Sequence, residues 1–373
     1  MENVVVIFGG KTCEHDISII SSVQMMSNIK DKNVIPIYIA QDTNWYTGKE
    51  LLDIHFYKKR DLSKLKQVSI LPNDNWLYSQ KNGKLKRKLK IDFAFVVMHG
   101  LNGEDGTVQG LLELTDIPYS SSGVLSCAVG MDKEIMKKIL KANNLPIVDY
   151  LSFHNCEYIQ NADDVLEQIL NGIEPPYIVK PANLGSSIGI SCCKNREELV
   201  DALELAFRYD DKVVVEKKVE NLLEVNISVM GDEQNIEVSQ TEEPLSWKEF
   251  LTFDEKYLSK SGKTGSKNSM SNMKRIIPAK LKANDISEIE MLAKKTFKSL
   301  NCFGLIRIDF LFDKDDKKIY INEINTIPGS NAFYLWEKTY SYSQLIDKME
   351  EIGKRKFDIK QSKIYTHNSN VIK

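Results

Sequence analysis

Tyr320-Ile321-Asn322-Glu323-Ile324-Asn325-Thr326-Ile327-Pro328-Gly329 decides how this chain is read. It sets a carboxylate, Glu323, and a carboxamide, Asn325, two residues apart in what reads as a buried strand. Upstream, Arg307-Ile308-Asp309-Phe310-Leu311-Phe312 reads as a second apolar strand with an embedded arginine and aspartate. Charges inside apolar strands are costly unless something pairs with them. Asp309, Glu323 and Asn325 together offer the hard oxygen donors that Mg²⁺ takes alongside substrate phosphates. A metal held this way beside an arginine points to phosphoryl chemistry on a nucleotide.

The rest of the composition narrows the class. At 373 residues the chain is long enough for two or three domains and a sizeable core. The formal net charge of -2 favours neither nucleic acid nor an anionic membrane as a bulk partner. No apolar run approaches the ~20 residues of a membrane span. Met1-Glu2-Asn3 followed by Val4 to Phe8 lacks the basic region and apolar length of a signal peptide, and reads as a first buried strand. Cys13, Cys127, Cys156, Cys192, Cys193 and Cys302 form no CxxC pair, so they read as reduced thiols of a cytoplasmic protein.

The organisation is α/β. Val4 to Phe8 ends in Gly9-Gly10, the pattern of a central parallel strand before a ligand-facing turn. A helix over 18–29, strands at 34–39 and 91–98, and weaker strands near 68–71 and 76–78 make an open α/β domain. A helix over 132–142, strands at 150–153, 177–181 and 188–192, and helices over 162–170 and 197–207 make a small α+β unit. Strands at 212–219 and 225–230, a helix over 286–300, the two apolar strands and a last helix over 343–355 form a third region. The Ser-, Lys- and Asn-rich stretch at about 246–274 is too long for an ordinary connection, so it reads as a functional loop or disorder. No internal repeat is present.

Two Gly-Lys-Thr triplets imitate a phosphate-binding loop. Gly10-Lys11-Thr12 has Val5, and Gly262-Lys263-Thr264 has Tyr257, where GxxxxGK[ST] needs its first glycine. No GxGxxG follows the first strand, which excludes the usual nicotinamide site. Other segments carry more. Lys180-Pro181-Ala182-Asn183-Leu184-Gly185-Ser186-Ser187 puts a lysine at a strand end before small residues whose backbone and hydroxyls suit phosphate oxygens; a hairpin with a solvated lysine is the bland alternative. Lys133 near a helix start is unfavourable by itself, which either an anion or solvation explains. His99-Gly100 with Glu104-Asp105-Gly106 and Gln109-Gly110 has the form of a binding loop, or of a tight turn held by its acids. Glu14 is placed to receive a cation. Glu216 closes another apolar strand, where adenine and ribose need acceptors.

Taken in order, Phe8-Gly9-Gly10 with Glu14-His15 and Ser18, the His99 to Gly110 motif, Met131-Asp132-Lys133, Lys180-Pro181 with Gly185-Ser186-Ser187, Lys256-Tyr257, Arg307 with Asp309, and Asn322-Glu323 with Asn325-Thr326 and Pro328-Gly329 resemble the D-alanine–D-alanine ligases of the ATP-grasp superfamily, over about residues 4 to 350. The resemblance implies three α/β domains: an N-terminal substrate domain over 1–121, a central ATP-grasp subdomain over 122–215 and a C-terminal catalytic subdomain over 216–355. A lid loop at about 246–274 and a polar tail over 356–373 complete this division, with ATP between the central and C-terminal domains. It implies that Lys133, Lys180, Ser187 and Lys256 bind ATP phosphates and that Glu216 and Glu224 bind the adenosine. Asp309, Glu323 and Asn325 hold two Mg²⁺, with Mn²⁺ as a substitute. Glu14 receives the first D-alanine's ammonium and forms a hydrogen-bond triad with Ser186 and Tyr257. Arg307 and the Gly329 backbone donor stabilise the oxyanion, and His99 lies beside the first substrate. The lid excludes water from an acyl phosphate that must meet an amine. Members are often homodimers, and the product serves peptidoglycan synthesis.

The chain departs from that pattern at one end of the segment quoted first. A serine usually stands five residues beyond the Pro-Gly glycine to hold the second substrate's carboxylate; here Tyr334 stands there. The lid and the Tyr334-Leu335-Trp336 stretch resemble D-alanine–D-serine ligases of glycopeptide resistance, a rival reading, whereas Tyr257 argues for an amine nucleophile. A nucleotide-binding regulatory protein without catalysis is the reading from another class, and the set Arg307, Asp309, Glu323 and Asn325 argues against it.

Overall fold

The computed structural model describes residues 1–245 and 275–366. Three sheets organise them. The first has seven strands in the order β6-β5-β4-β3-β2-β1-β7: β1 (Asn3–Gly9), β2 (Asn33–Ile39), β3 (Trp45–Thr47), β4 (Lys66–Ile70), β5 (Trp76–Lys81), β6 (Lys84–Lys90) and β7 (Phe93–Val96). β1 runs parallel to both β2 and β7, and its Val4 to Phe8 are fully buried, as a strand covered on both faces must be. α1 (His15–Met26) follows β1, beginning and ending three residues earlier than the pattern predicts. β5 and β6 form a hairpin across Asn82-Gly83, both at positive φ, so a two-residue loop of the favoured hand creates the lysine-rich strand that hydrophobic patterning does not reveal.

α2 (Thr107–Leu114), α3 (Val124–Met131) and α4 (Lys133–Ala142) lead out of this sheet. Asp132 caps α4 by accepting from Glu134 and Ile135 backbone N–H groups. The second sheet, β10-β9-β11-β8, holds β8 (Tyr150–His154), β9 (Tyr177–Pro181), β10 (Ser191–Cys193) and β11 (Lys212–Lys217). α5 (Asn155–Gln160), α6 (Ala162–Gly172) and α7 (Arg196–Phe207) accompany it. β11, grouped by sequence with the third region, pairs with β8 and β9 instead. Its apolar run marks a strand, but nothing in it names the partner.

The third sheet, β14-β13-β12-β15-β16, holds β12 (Leu222–Gly231), β13 (Ile236–Pro244), β14 (Arg275–Ile276), β15 (Gly304–Asp313) and β16 (Lys318–Asn325), with α8 (Ala283–Ser299) against it. The β15–β16 register slips between Asp309 and Phe310: Asp309 faces Glu323 but Phe310 faces Ile321, so Asn322 is an extra residue. Such a bulge re-aims side chains. Ile321 and Ile324 stay in the core, while the adjacent Asn322 and Glu323 both escape it.

The last helix, α9 (Tyr342–Gln361), runs six residues beyond the predicted end. Its last turn is tied down by Lys360, which pairs with Glu113 and Asp116. Leu345, Ile346, Met349 and Ile352 join the core of the first sheet. Gly353 allows this approach, since a Cβ there would lie 2.2 Å from the Tyr119 carbonyl oxygen. Among the described residues, no helix is long and apolar enough to cross a membrane. All six cysteines are free thiols.

Candidate active site

The loops after β1 and β7 meet the β9–β10 loop around Glu14. Its carboxylate is buried and accepts a hydrogen bond from Ser186 Oγ, 172 residues away. Gly100 (φ +74) makes room for that carboxylate, since a Cβ there would sit 2.8 Å from Glu14 Oε2. His15 holds the turn from below, with Nδ1 2.6 Å from the Gly10 carbonyl and Nε2 2.9 Å from the Tyr38 hydroxyl. Ser18 Oγ accepts from Gly9 N–H at 2.8 Å and donates to the Val97 carbonyl. Burial pushes His99 down to about 4, so its ring is neutral at pH 7. Glu104 accepts from Gly100 N–H (2.9 Å) and from Ile327 N–H (3.2 Å), joining this loop to the segment after β16. Burial, then the charge of Glu14, raise Glu104 to about 8.

A second cluster lies where β9, β11 and α4 converge. Glu216 pairs with Lys137 at 3.0 Å and Lys180 at 2.8 Å, all three buried. Burial alone would raise the Glu216 carboxyl, but the two lysines overcome it and hold it at about 2. Lys180 also donates to Asn322 Oδ1 at 3.2 Å, so the bulge in β16 reaches the second sheet. Lys133 Nζ donates to the Leu184 carbonyl at 2.6 Å. Burial lowers the Lys133 pKa, and the charge of Glu323 is the largest influence opposing it. The lysine that opens α4 thus shares its surroundings with the quoted strand. Ser187 follows Ser186 in a left-handed turn, φ 58° after 56°. Glu224 is exposed on β12.

On β15 and β16, Arg307, Asp309, Glu323 and Asn325 are register neighbours, Arg307 opposite Asn325 and Asp309 opposite Glu323. Arg307 forks onto Asp309 through Nε (2.6 Å) and Nη2 (2.7 Å). Burial works against this charge, but Asp309 outweighs it and raises the arginine pKa further. Asn325 Nδ2 donates to Asp309 Oδ2 at 3.1 Å. Two carboxylates and an amide are oxygen donors of the kind Mg²⁺ takes, so this set fits the ion. Among the described residues, no group of three or more His, Cys, Asp or Glu is arranged to hold a metal; the amide of Asn325 is needed as the third donor.

Beyond Gly329 the chain turns sharply and places Tyr334 beside β13. Its hydroxyl donates to Glu242 Oε2 at 3.1 Å, and the Arg275 guanidinium lies 3.9 Å over its ring. Arg275 also pairs with Glu242 at 3.2 Å. Burial raises the Tyr334 pKa, so the phenol keeps its proton.

The structure thus brings together Glu14 with Ser186, Lys180 with Glu216, and Arg307 with Asp309 and Asn325. Lys256, Tyr257 and the lid at 246–274 lie outside the described residues. Sequence reasoning missed Ser21, Glu104 as a bridge, Lys137, Glu242 and Arg275. A signal existed for Lys137, four residues after Lys133 and therefore on the same helix face. None existed for Glu242.

Two family models match: "D-ala D-ala ligase N-terminus" over residues 3–122 and "D-ala D-ala ligase C-terminus" over residues 139–351. A D-alanine–D-alanine ligase of Thermosipho africanus is 43% identical over 377 residues, covering 100% of this chain and 98% of that protein. Among solved structures, the D-alanine–D-alanine ligase of Coxiella burnetii superposes with a TM-score of 0.80 at 26% identity, covering 96% of both chains. The VanG D-Ala:D-Ser ligase of Enterococcus faecalis superposes at 0.78 with 28% identity, covering 94% of this chain and 99% of that one. The fold is therefore ATP-grasp. With both halves matched and a relative this similar over its whole length, the chain belongs to the D-alanine–D-alanine ligase family.

Proposed function

We propose that this protein joins two molecules of D-alanine at the expense of ATP, in the cytoplasm and for peptidoglycan synthesis. A carboxylate oxygen of the first D-alanine attacks the γ-phosphorus and ADP leaves. The amine of the second then attacks the acyl carbon, loses a proton, and phosphate leaves. Glu14, braced by Ser186, receives the first ammonium, with His99 beside that substrate. Arg307 and the Gly329 N–H receive the oxygen that becomes negative at the acyl carbon, the kind of preorganised donor pair that contributes most to such steps. Lys133 and Lys180 hold phosphate oxygens, with Ser187 and Lys256. Glu216 and Glu224 serve the adenosine, Tyr257 completes the triad with Glu14 and Ser186, and Tyr334 lines the second-substrate pocket. Two Mg²⁺ held by Asp309, Glu323 and Asn325 would neutralise the phosphates.

The observation that carries this reading is the Ser186–Glu14 hydrogen bond. It closes a buried carboxylate against the small-residue loop that follows Lys180, which supports reading Glu14 as an ammonium receiver beside a phosphate-binding loop. The full-length likeness to D-alanine–D-alanine ligases supports D-alanine as the second substrate over D-serine. The test is the purified protein with ATP, Mg²⁺ and D-alanine, then with D-serine added. One phosphate released per D-alanyl-D-alanine formed is expected. No phosphate release would sink the ligase reading, and a predominance of D-alanyl-D-serine would replace the second substrate.

A further inference from the structure

α1 carries a buried serine, Ser21, that none of the roles above uses. Its Oγ lies 3.2 Å from His99 Nε2 and accepts the backbone N–H of Ser330 at 3.0 Å. A hydroxyl has one proton and two lone pairs. With Ser330 occupying one lone pair, the hydroxyl keeps its proton and one lone pair for Nε2, and the other ring nitrogen decides which is used. In a neutral imidazole one nitrogen donates and the other accepts. The ring also hydrogen-bonds the Ile327 backbone. The Ile327 N–H is given to Glu104 and Nε2 faces Ser21, so Nδ1 meets the Ile327 carbonyl, which can only accept. That assigns the proton to Nδ1 and makes Nε2 the acceptor.

The other end of Ser21 matters as much. Ser330, Asn331 and Ala332 have φ of 49°, 53° and 45°, three consecutive residues in the left-handed region without a glycine among them. Each costs on the order of 1–2 kcal/mol, so the turn persists only if its surroundings hold it. Asn331 N–H donates to the Pro328 carbonyl at 2.8 Å, and Tyr342 donates to Asn331 Oδ1 at 3.0 Å. Ser21 supplies the anchor from α1. It grips the peptide immediately after Gly329, whose N–H is the donor assigned above to the developing oxyanion.

We propose that Ser21 is a positioning residue: its single hydroxyl sets the tautomer of His99 and, through Ser330, the aim of the Gly329 N–H. The kinetic side of this rests on the ligase reading; the tautomer does not. The first measurement is ¹⁵N NMR of His99 in the unsubstituted protein. Nε2 is expected to be the unprotonated, hydrogen-bonded nitrogen, and a protonated Nε2 overturns the proposal without any variant. Next, Ser21→Ala should lower kcat roughly tenfold, less than the about 10²–10³ that outright loss of an oxyanion donor costs, because the Gly329 N–H remains and loses only its aim. KM for ATP should be unchanged and the Nε2 resonance shifted. Ser21→Thr, which keeps the hydroxyl, should recover most of kcat and the resonance. If the unsubstituted protein makes dipeptide and Ser21→Ala turns over equally fast, the positioning role fails while the ligase reading stands. A fall in kcat that Ser21→Thr does not recover also defeats it. If the unsubstituted protein releases no phosphate, the ligase reading fails, and the tautomer measurement alone decides the His99 part.

Discussion

The two clusters handle their acids in opposite ways. Where β9, β11 and α4 meet, Glu216 stands between Lys137 and Lys180, and the pair of cations holds it ionised. Around the loops after β1 and β7, Glu104 is served by backbone N–H groups and has another acid, Glu14, as its electrostatic neighbour, so it is driven toward the protonated form. The first arrangement holds its acid ionised before any ligand arrives. The second gains when a positive group enters, because an ammonium beside Glu14 would ease the pressure on both acids. Under the proposed function, the phosphate side and the amino-group side would thus differ in how their protein charges are prepared, not only in their sign.

The contrast breaks most visibly at Glu216. Glu216→Gln leaves two buried lysines facing each other, and removing one partner of a buried ion pair typically costs about 3–5 kcal/mol. Urea unfolding should show that loss; an unchanged midpoint would mean the trio is not mutually compensated. The next test is pH. Glu216 is held below its ordinary 4.5, so its contribution is present above 4.5 and is lost as pH falls toward about 2. Glu104 is held above 4.5, so its contribution is present below 4.5 and is lost as pH rises through about 8. Each proton can tilt stability by at most about 1.4 kcal/mol per pH unit. Glu216→Gln should therefore flatten a stability–pH curve between about 2 and 4.5, and Glu104→Gln between 4.5 and about 8; equal flattening of both windows by either variant would erase the distinction. The smallest effect is expected at Tyr334. Tyr334→Phe keeps the ring under Arg275 but deletes the bond to the Glu242 carboxylate, a hydrogen bond to a charged group worth about 1.5 kcal/mol at the low end. A roughly tenfold rise in KM for the second amino acid, with KM for ATP unchanged, would place that residue on the substrate side of the comparison.

Much of this was legible in advance, for identifiable reasons. Uninterrupted apolar runs such as Val4 to Phe8 and Val213 to Val215 mark central strands whatever their partners. The contact of Ser186 with Glu14 came from the ordered set of motifs, because no spacing rule links residues 172 apart. The Asn322 bulge was hidden: strict alternation sends neighbouring residues to opposite faces, and only the observed slip lets Asn322 and Glu323 leave the core together. Lys137 was hidden by its type, since a helix lysine is ordinarily solvated, and its burial depends on Glu216 from another element. The β5–β6 hairpin has its turn signal in Asn82-Gly83, but the lysines of β6 give its strand no apolar alternation to detect.

The Lys137–Glu216–Lys180 trio also bears on how such a chain can change over time. Its members lie on α4, β11 and β9, far apart in sequence. Losing the acid strands two cations, and losing either lysine shifts the balance felt by the remaining pair. None of the three positions can drift alone, so neutral wandering is closed to them, and lineages that alter this corner of the fold must replace it as a block.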